Sequence, residues 1–185
     1  MWLAAPPWLY SSQNDACLIL VDPVIENSVI EYISGRKYEI YKCAWGDKKS
    51  VEKLYYNRNH PALSSLYERS ELTRREDASM ERQSVQVYTL EAVLKKSAFP
   101  LNKIGLKIDT EGSDLSIIKG AGSFIKDLSF IITEVSVKER FLDSYTFSEL
   151  ITYYYSKGLD LMEIMSVNGP KNSVRLIDAL FYPRN

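Results

Sequence analysis

The sequence predicts an α/β protein built on a mainly parallel sheet, with helices on both faces and an antiparallel strand at the end. Three observations lead there. The chain opens strand–helix–strand, its apolar runs are short and closed by turn residues, and two strand-like segments flank Asn168-Gly169-Pro170 near the C-terminus.

Residues 17–21 (CLILV) are apolar on both faces, as in a parallel strand buried on both sides, and Asp22-Pro23 closes the run. Apolar residues at 25, 29, 30 and 33 then give helical spacing over Ile25 to Ile33, with Gly35 as the stop. Residues 38–44 (YEIYKCA) read as the next strand. From Gly46 to Ser84 the pattern weakens. Val51 to Tyr56 and Val85 to Thr89 read as edge strands, and the dense mixed-charge stretch Glu68 to Arg82 as a solvated loop or exposed helix.

Order returns after Thr89. Thr89 to Lys96 is a short helix and Ile104 to Ile108 a strand, followed by a turn at Asp109-Thr110-Glu111-Gly112. Apolar positions from 115 to 125 extend a helix over Asp114 to Ile125. Phe130 to Val135 is a buried strand, and Phe147 to Lys157 a helix stopped by Gly158. Leu159 to Met165 and Val174 to Tyr182 are the two final strands.

Composition narrows the function classes. The 185 residues carry 23 Lys+Arg against 24 Asp+Glu, a net charge of −1. Such a balance makes no global field to attract nucleic acid or an anionic membrane. No apolar run approaches the length of a membrane span. Cys17 and Cys43 lie in apolar runs, which suits buried thiols in a reducing compartment better than a disulfide. Met1 to Tyr10 lacks a basic region and contains Pro6-Pro7, unlike a signal peptide. The expectation is one cytoplasmic domain over residues 1–185. One histidine and scattered carboxylates offer no ligand spacing for a metal, so none is expected.

Ligands of open α/β sheets bind beyond the carboxyl ends of the strands, so the residues there carry the chemistry. Asp22 follows one strand, where a carboxylate either accepts the hydroxyls of a ribose or caps the next helix. Alternation puts Lys107 and Asp109 on one face of the 104–108 strand with Ile108 on the other. Glu111 sits in the turn, and Gly112 permits a backbone conformation that a side chain obstructs. His60, the single histidine, is either a general base in a loop over the sheet mouth or an exposed loop imidazole. Tyr153-Tyr154-Tyr155 and the tryptophans read as packing, with an aromatic acceptor platform as the alternative.

Ile104 to Ala121 (IGLKIDTEGSDLSIIKGA) resembles the signature of the FkbM family of S-adenosylmethionine-dependent methyltransferases. The segment Val87 to Leu94 is similar to the one leading into it. Val21-Asp-Pro-Val-Ile-Glu-Asn27, Cys43-Ala-Trp-Gly-Asp47 and Ser64-Ser65-Leu66 resemble further family segments, in order, from about residue 17 to 136. The resemblance implies a Rossmann-like class I methyltransferase sheet and methyl transfer to a hydroxyl, often of a sugar or another small-molecule or glycan acceptor. It implies S-adenosylmethionine as cofactor. Carried over by position, Asp22 and Pro23 meet the ribose, Ala44 borders the adenine, and Asp109 and Glu111 lie at the methyl-transfer mouth. His60 is the further candidate base.

The family also begins with a strand and a Gly-rich turn, whereas no glycine precedes Gly35 and 21 residues precede Asp22. The expected fold is therefore N-terminally abbreviated, with a rearranged N-terminus, a second copy or a partner chain covering the open sheet. The alternative function is a methyltransferase-fold protein without cofactor binding that acts as an interaction module.

Overall fold

The computed structural model describes residues 16–25, 35–73 and 80–184. The helix expected over Ile25 to Ile33 and the segment Met1 to Asn14 lie outside the described residues. Within them is an α/β arrangement of nine strands in three sheets with three α-helices.

The first sheet pairs β1 (Leu18–Val21) in parallel with β2 (Tyr38–Tyr41), Leu18 opposite Tyr38. The strand expected through residue 44 stops early. Cys43 N donates to Tyr41 O at 3.0 Å, a tight turn that sends the chain into a second sheet. There β3 (Ala44–Trp45) runs parallel to β5 (Met80–Tyr88), and β4 (Ser50–Asn57) lies antiparallel on its other side. Glu81 to Ser84 of β5 are exposed, so ladder hydrogen bonds rather than burial hold this part of the strand. A polar strand of that kind leaves no apolar alternation, and its first residues fall inside the stretch read as solvated.

The third sheet has the order β6 (Ile104–Ile108), β7 (Leu128–Ser136), β9 (Leu176–Pro183), β8 (Leu159–Asn168). β6 and β7 are parallel, while β9 runs antiparallel to both its neighbours. The antiparallel C-terminal strand is as expected. The mainly parallel sheet is not: among the described residues three strand pairs are parallel and three antiparallel. The β4–β5 pair and the C-terminal ribbon account for the difference.

Helix α1 (Leu90–Leu94) starts at Thr89, whose hydroxyl accepts from Ala92 N. Helix α2 (Asp114–Lys119) is shorter than its apolar spacing predicted. It ends at Gly120, the chain passes Gly122 at φ 56°, and residues 122–126 form a 3-10 turn instead. Helix α3 (Phe147–Ser156) opens with a capping box between Thr146 and Glu149. The core gathers Ile117 and Ile118 of α2, Ile108, Ile131, Val135 and Phe181 of the four-stranded sheet, and Leu150 and Tyr154 of α3, all essentially inaccessible. Full burial of each aliphatic side chain contributes about 1.5–3 kcal/mol. Ile19 and Trp45 pack against the same cluster, so all three sheets share it. The tyrosine run is packing here: Tyr154 meets Phe181 edge-on at 4.7 Å between ring centres, and the exposed Tyr155 lies under Arg184.

Candidate active site

Three strand ends and one loop converge on a pocket of about 140 Å³. It is lined by Asp22 after β1, Ala44 and Trp45 of β3, Asp109 and Thr110 after β6, and by the loop Pro61–Leu66 that follows β4.

The local sequence holds each group in place. Asp22 Oδ1 accepts from Val24 N at 2.7 Å, an Asx turn that fixes the carboxylate at the end of β1, with Pro23 inside it. Asp109 is exposed at the mouth of β6, and its Oδ2 accepts from Lys107 Nζ at 2.7 Å, as the alternation predicted. Glu111 then takes a left-handed φ of 50° and Gly112 one of 101°. A left-handed non-glycine residue costs about 1–2 kcal/mol and persists where its surroundings over-determine it. Here they do. Ser65 Oγ donates to Glu111 O at 2.6 Å, Ser144 Oγ donates to Gly112 O at 2.7 Å, and Arg140 grips the Glu111 carboxylate.

The Glu111 side chain leaves the pocket lining and enters a buried charge cluster. Arg140 Nη2 donates to Glu111 Oε2 at 2.8 Å, and its Nη1 to Glu134 Oε1 at 2.6 Å. Arg69 Nη2 is 3.6 Å from the same Glu111 oxygen and donates to Leu63 O. Both guanidiniums lie against the Phe141 ring. Burial raises the Glu111 pKa to about 7, against the pull of Arg140, and burial also raises that of Glu134.

Behind the loop, the buried Asp114 of α2 accepts from Thr133 Oγ1 of β7 at 2.9 Å and from Tyr145 OH at 3.0 Å, tying helix to sheet. Burial raises its pKa to about 6. In a folded chain that holds this proton longer than the unfolded one, stability falls as pH rises from about 4 to about 6 and is then level. Asp114→Asn removes that term. Its stability relative to wild type is expected to improve by about 3 kcal/mol between about pH 4 and about pH 7. Urea denaturation at the two pH values measures it, and parallel stabilities would contradict it.

Of the residues singled out from sequence, Asp22, Pro23, Ala44 and Asp109 come together on the pocket, while Glu111 sits in the charge cluster beside it. His60 is exposed just before Pro61 and is not among the lining residues. Arg69 and Arg140, only 2% and 7% exposed, were not anticipated. Arg69 stands in the mixed-charge stretch, and the partners of Arg140 include a residue 29 positions away, which no local pattern announces. Ser64 and Thr110 were quoted only as parts of motifs and Trp45 was read as packing, yet all three line the pocket, and Trp45 also packs against the core. Cys17 and Cys43 are unbonded thiols, and burial raises the pKa of Cys43. Among the described residues no cluster of three metal-ligating side chains occurs, and no helix is long and apolar enough to cross a membrane.

Residues 7–161 match the family model described as the methyltransferase FkbM domain. No curated protein and no solved structure matches the chain. The match covers every strand end that lines the pocket and the whole of the Ile104–Ala121 signature, so the resemblance read from that signature is borne out. The chain belongs to the FkbM methyltransferase family.

Proposed function

We propose that the chain transfers a methyl group from S-adenosylmethionine to a hydroxyl of a sugar or other small-molecule acceptor. The observation that carries this reading is the meeting of Asp22, Ala44 and Asp109 at one pocket in an FkbM methyltransferase domain. The residues suit the cofactor's chemistry. A carboxylate locked in an Asx turn at a strand end is a natural acceptor for a ribose diol, and Ala44 is a small wall that leaves room beside it.

When bound, S-adenosylmethionine supplies a methyl group on a sulfonium, whose carbon–sulfur bond breaks with its electron pair passing to sulfur. Asp22 and Pro23 hold the nucleoside. Asp109 orients the acceptor hydroxyl and takes its proton as the new oxygen–carbon bond forms. Lys107 fixes the Asp109 carboxylate, and Glu111, held by Arg140, sets the loop that presents Asp109 and Thr110. Asp109 fits the role of base better than His60 or Glu111 because it lines the pocket and they do not.

The same reading joins the first and third sheets into one Rossmann-like sheet within a single domain. A further strand then covers the open β1 and β6 edges, from a rearranged N-terminus, a second copy or a partner chain. The test is transfer of labelled methyl from S-adenosylmethionine to a panel of glycosides. Asp109→Asn is expected to lower turnover about 100-fold with an unchanged melting temperature. Turnover equal to wild type would remove Asp109 from the mechanism. A well-folded chain that neither binds cofactor nor transfers methyl would instead be the interaction module.

A further inference from the structure

The apolar inner face of the third sheet continues past the helix that covers it. Residues directly opposite in an antiparallel pair share a face of the sheet. Leu161, Ile164 and Val167 of β8 stand opposite Phe181, Ala179 and Ile177 of β9, three residues of the buried core. Helix α3 closes that face at the start of β8, where Tyr154 meets Phe181 and Leu159 is 2% exposed. Along the strand the exposure then rises, to 43% at Leu161, 51% at Ile164 and 59% at Val167. Asp160, Glu163 and Ser166 stand opposite Tyr182, Leu180 and Asp178 and so share the other face. β8 thus has the alternating pattern of a strand with one buried face, but that face is open.

The strand itself says what closes it. Its register against β9 shifts at Met162 and again at Met165. Such bulges spoil an edge for open-ended strand addition, which leaves contact through side chains rather than a longer sheet. They also space the apolar residues evenly, at 161, 164 and 167, opposite every second residue of β9. The strip is therefore symmetric about Ile164. A two-fold axis there lays Leu161 of one copy against Val167 of the other, and Ile164 against its own counterpart. No charged residue of β8 or β9 shares this face, so the pairing opposes no like charges. A core face cut open, uncharged and matching itself has the character of a homodimer interface. Met162 and Met165 are exposed as well, and flexible thioethers adapt readily to a second surface. The five side chains expose on the order of 500 Å² together, the size of the largest patch on a typical monomer. That is the greater part of the about 800 Å² each partner gives to a standard interface.

We propose that two copies of this chain pair through β8 about a two-fold axis at Ile164. β8 lies at the far end of its sheet from β6, and no residue of β8 or β9 lines the pocket. The pairing leaves the site open and stands apart from the methyl-transfer reading.

Analytical ultracentrifugation of the whole chain, from micromolar to hundreds of micromolar, tests it. A species of twice the 21.2 kDa chain is expected. Ile164→Asp should weaken it at least tenfold, because a two-fold contact loses the side chain twice and gains two facing carboxylates. Val167→Thr, which keeps a β-branched side chain suited to a strand, should weaken it at least threefold. Circular dichroism checks that both variants are folded. Val51→Asp, at a residue of β4 as exposed as Val167, should leave the dimer unchanged. The axis is read by Ile164→Cys in a Cys17→Ser background, where a short bismaleimide should join the two copies, while Val51→Cys should not be joined. A monomer at every concentration, a dimer that Ile164→Asp and Val167→Thr leave intact, or equal cross-linking at the two positions overturns the proposal. So does co-sedimentation of a monomer with phosphatidylcholine–phosphatidylserine vesicles, which would give the face to a lipid surface.

Discussion

Arg140→Ala is expected to destabilise the fold by about 3–5 kcal/mol at neutral pH, the scale for leaving buried charges unpaired. Arg140 is the shared partner of Glu111 and Glu134, and its guanidinium is fitted between their carboxylates at 2.8 and 2.6 Å. Without it, two carboxylates whose pKa values burial already raises face each other with less compensation. The sign of the pH effect follows. Protonation relieves both groups, so the loss should shrink as pH falls below about 7 and grow above it. Adding Glu111→Gln to Arg140→Ala should recover part of the stability at pH 8, because one unpaired charge is then gone. Chemical denaturation of the single and double variants at pH 6 and pH 8 reads both effects. A single variant as stable as wild type, or a loss independent of pH, would show that the cluster is not what holds the Glu111–Gly112 turn.

Gly120→Ala is the second large effect, about 3 kcal/mol, at the upper end for overpacking a tight site. A Cβ built there would lie 2.2 Å from Gly46 O and 3.3 Å from Thr89 Cβ. The obstacle is backbone, which cannot swing aside as a side chain can. Gly120 O also accepts from Glu91 N at 3.0 Å, so α1 and α2 are joined at this residue. Gly46 directly follows Trp45 of the pocket wall, so a displaced α2 would disturb the site as well as the core. Gly158→Ala is the control. Its φ of 76° strains any side chain, yet nothing lies within 4 Å of the added carbon, and the expected cost is about 1 kcal/mol. Thermal melting of the two variants compares them, and equal losses would mean that Gly120 matters only for conformation.

What the sequence made legible follows from which forces shape each segment. β7 is buried along most of its length, so its apolar residues announced it, and α3 carries both a hydrophobic stripe and a capping pair. The face shared by Lys107 and Asp109 followed from alternation alone. β5 is different, because its exposed polar residues are held by pairing with β4, and pairing leaves no mark in composition. The break after Tyr41 comes from a single backbone hydrogen bond, and the need for glycine at the end of α2 from the close approach of a carbonyl 74 positions earlier. At the site, Asp22, Ala44 and Asp109 were legible because strand ends converge in this class of fold. The Arg69 and Arg140 cluster was not, since its value lies in contacts that only the folded chain makes.

The central claim is that the pocket bounded by Asp22, Ala44 and Asp109 belongs to a working methyltransferase. Calorimetric titration of the chain with S-adenosylmethionine and S-adenosylhomocysteine, repeated on Asp22→Ala, tests it most directly. The account predicts micromolar binding to wild type and at least a tenfold loss in Asp22→Ala, which stays folded with only the small drop in melting temperature that follows from losing the hydrogen bond to Val24 N. A folded wild-type chain that binds neither compound, or an Asp22→Ala variant that binds as tightly as wild type, would contradict it.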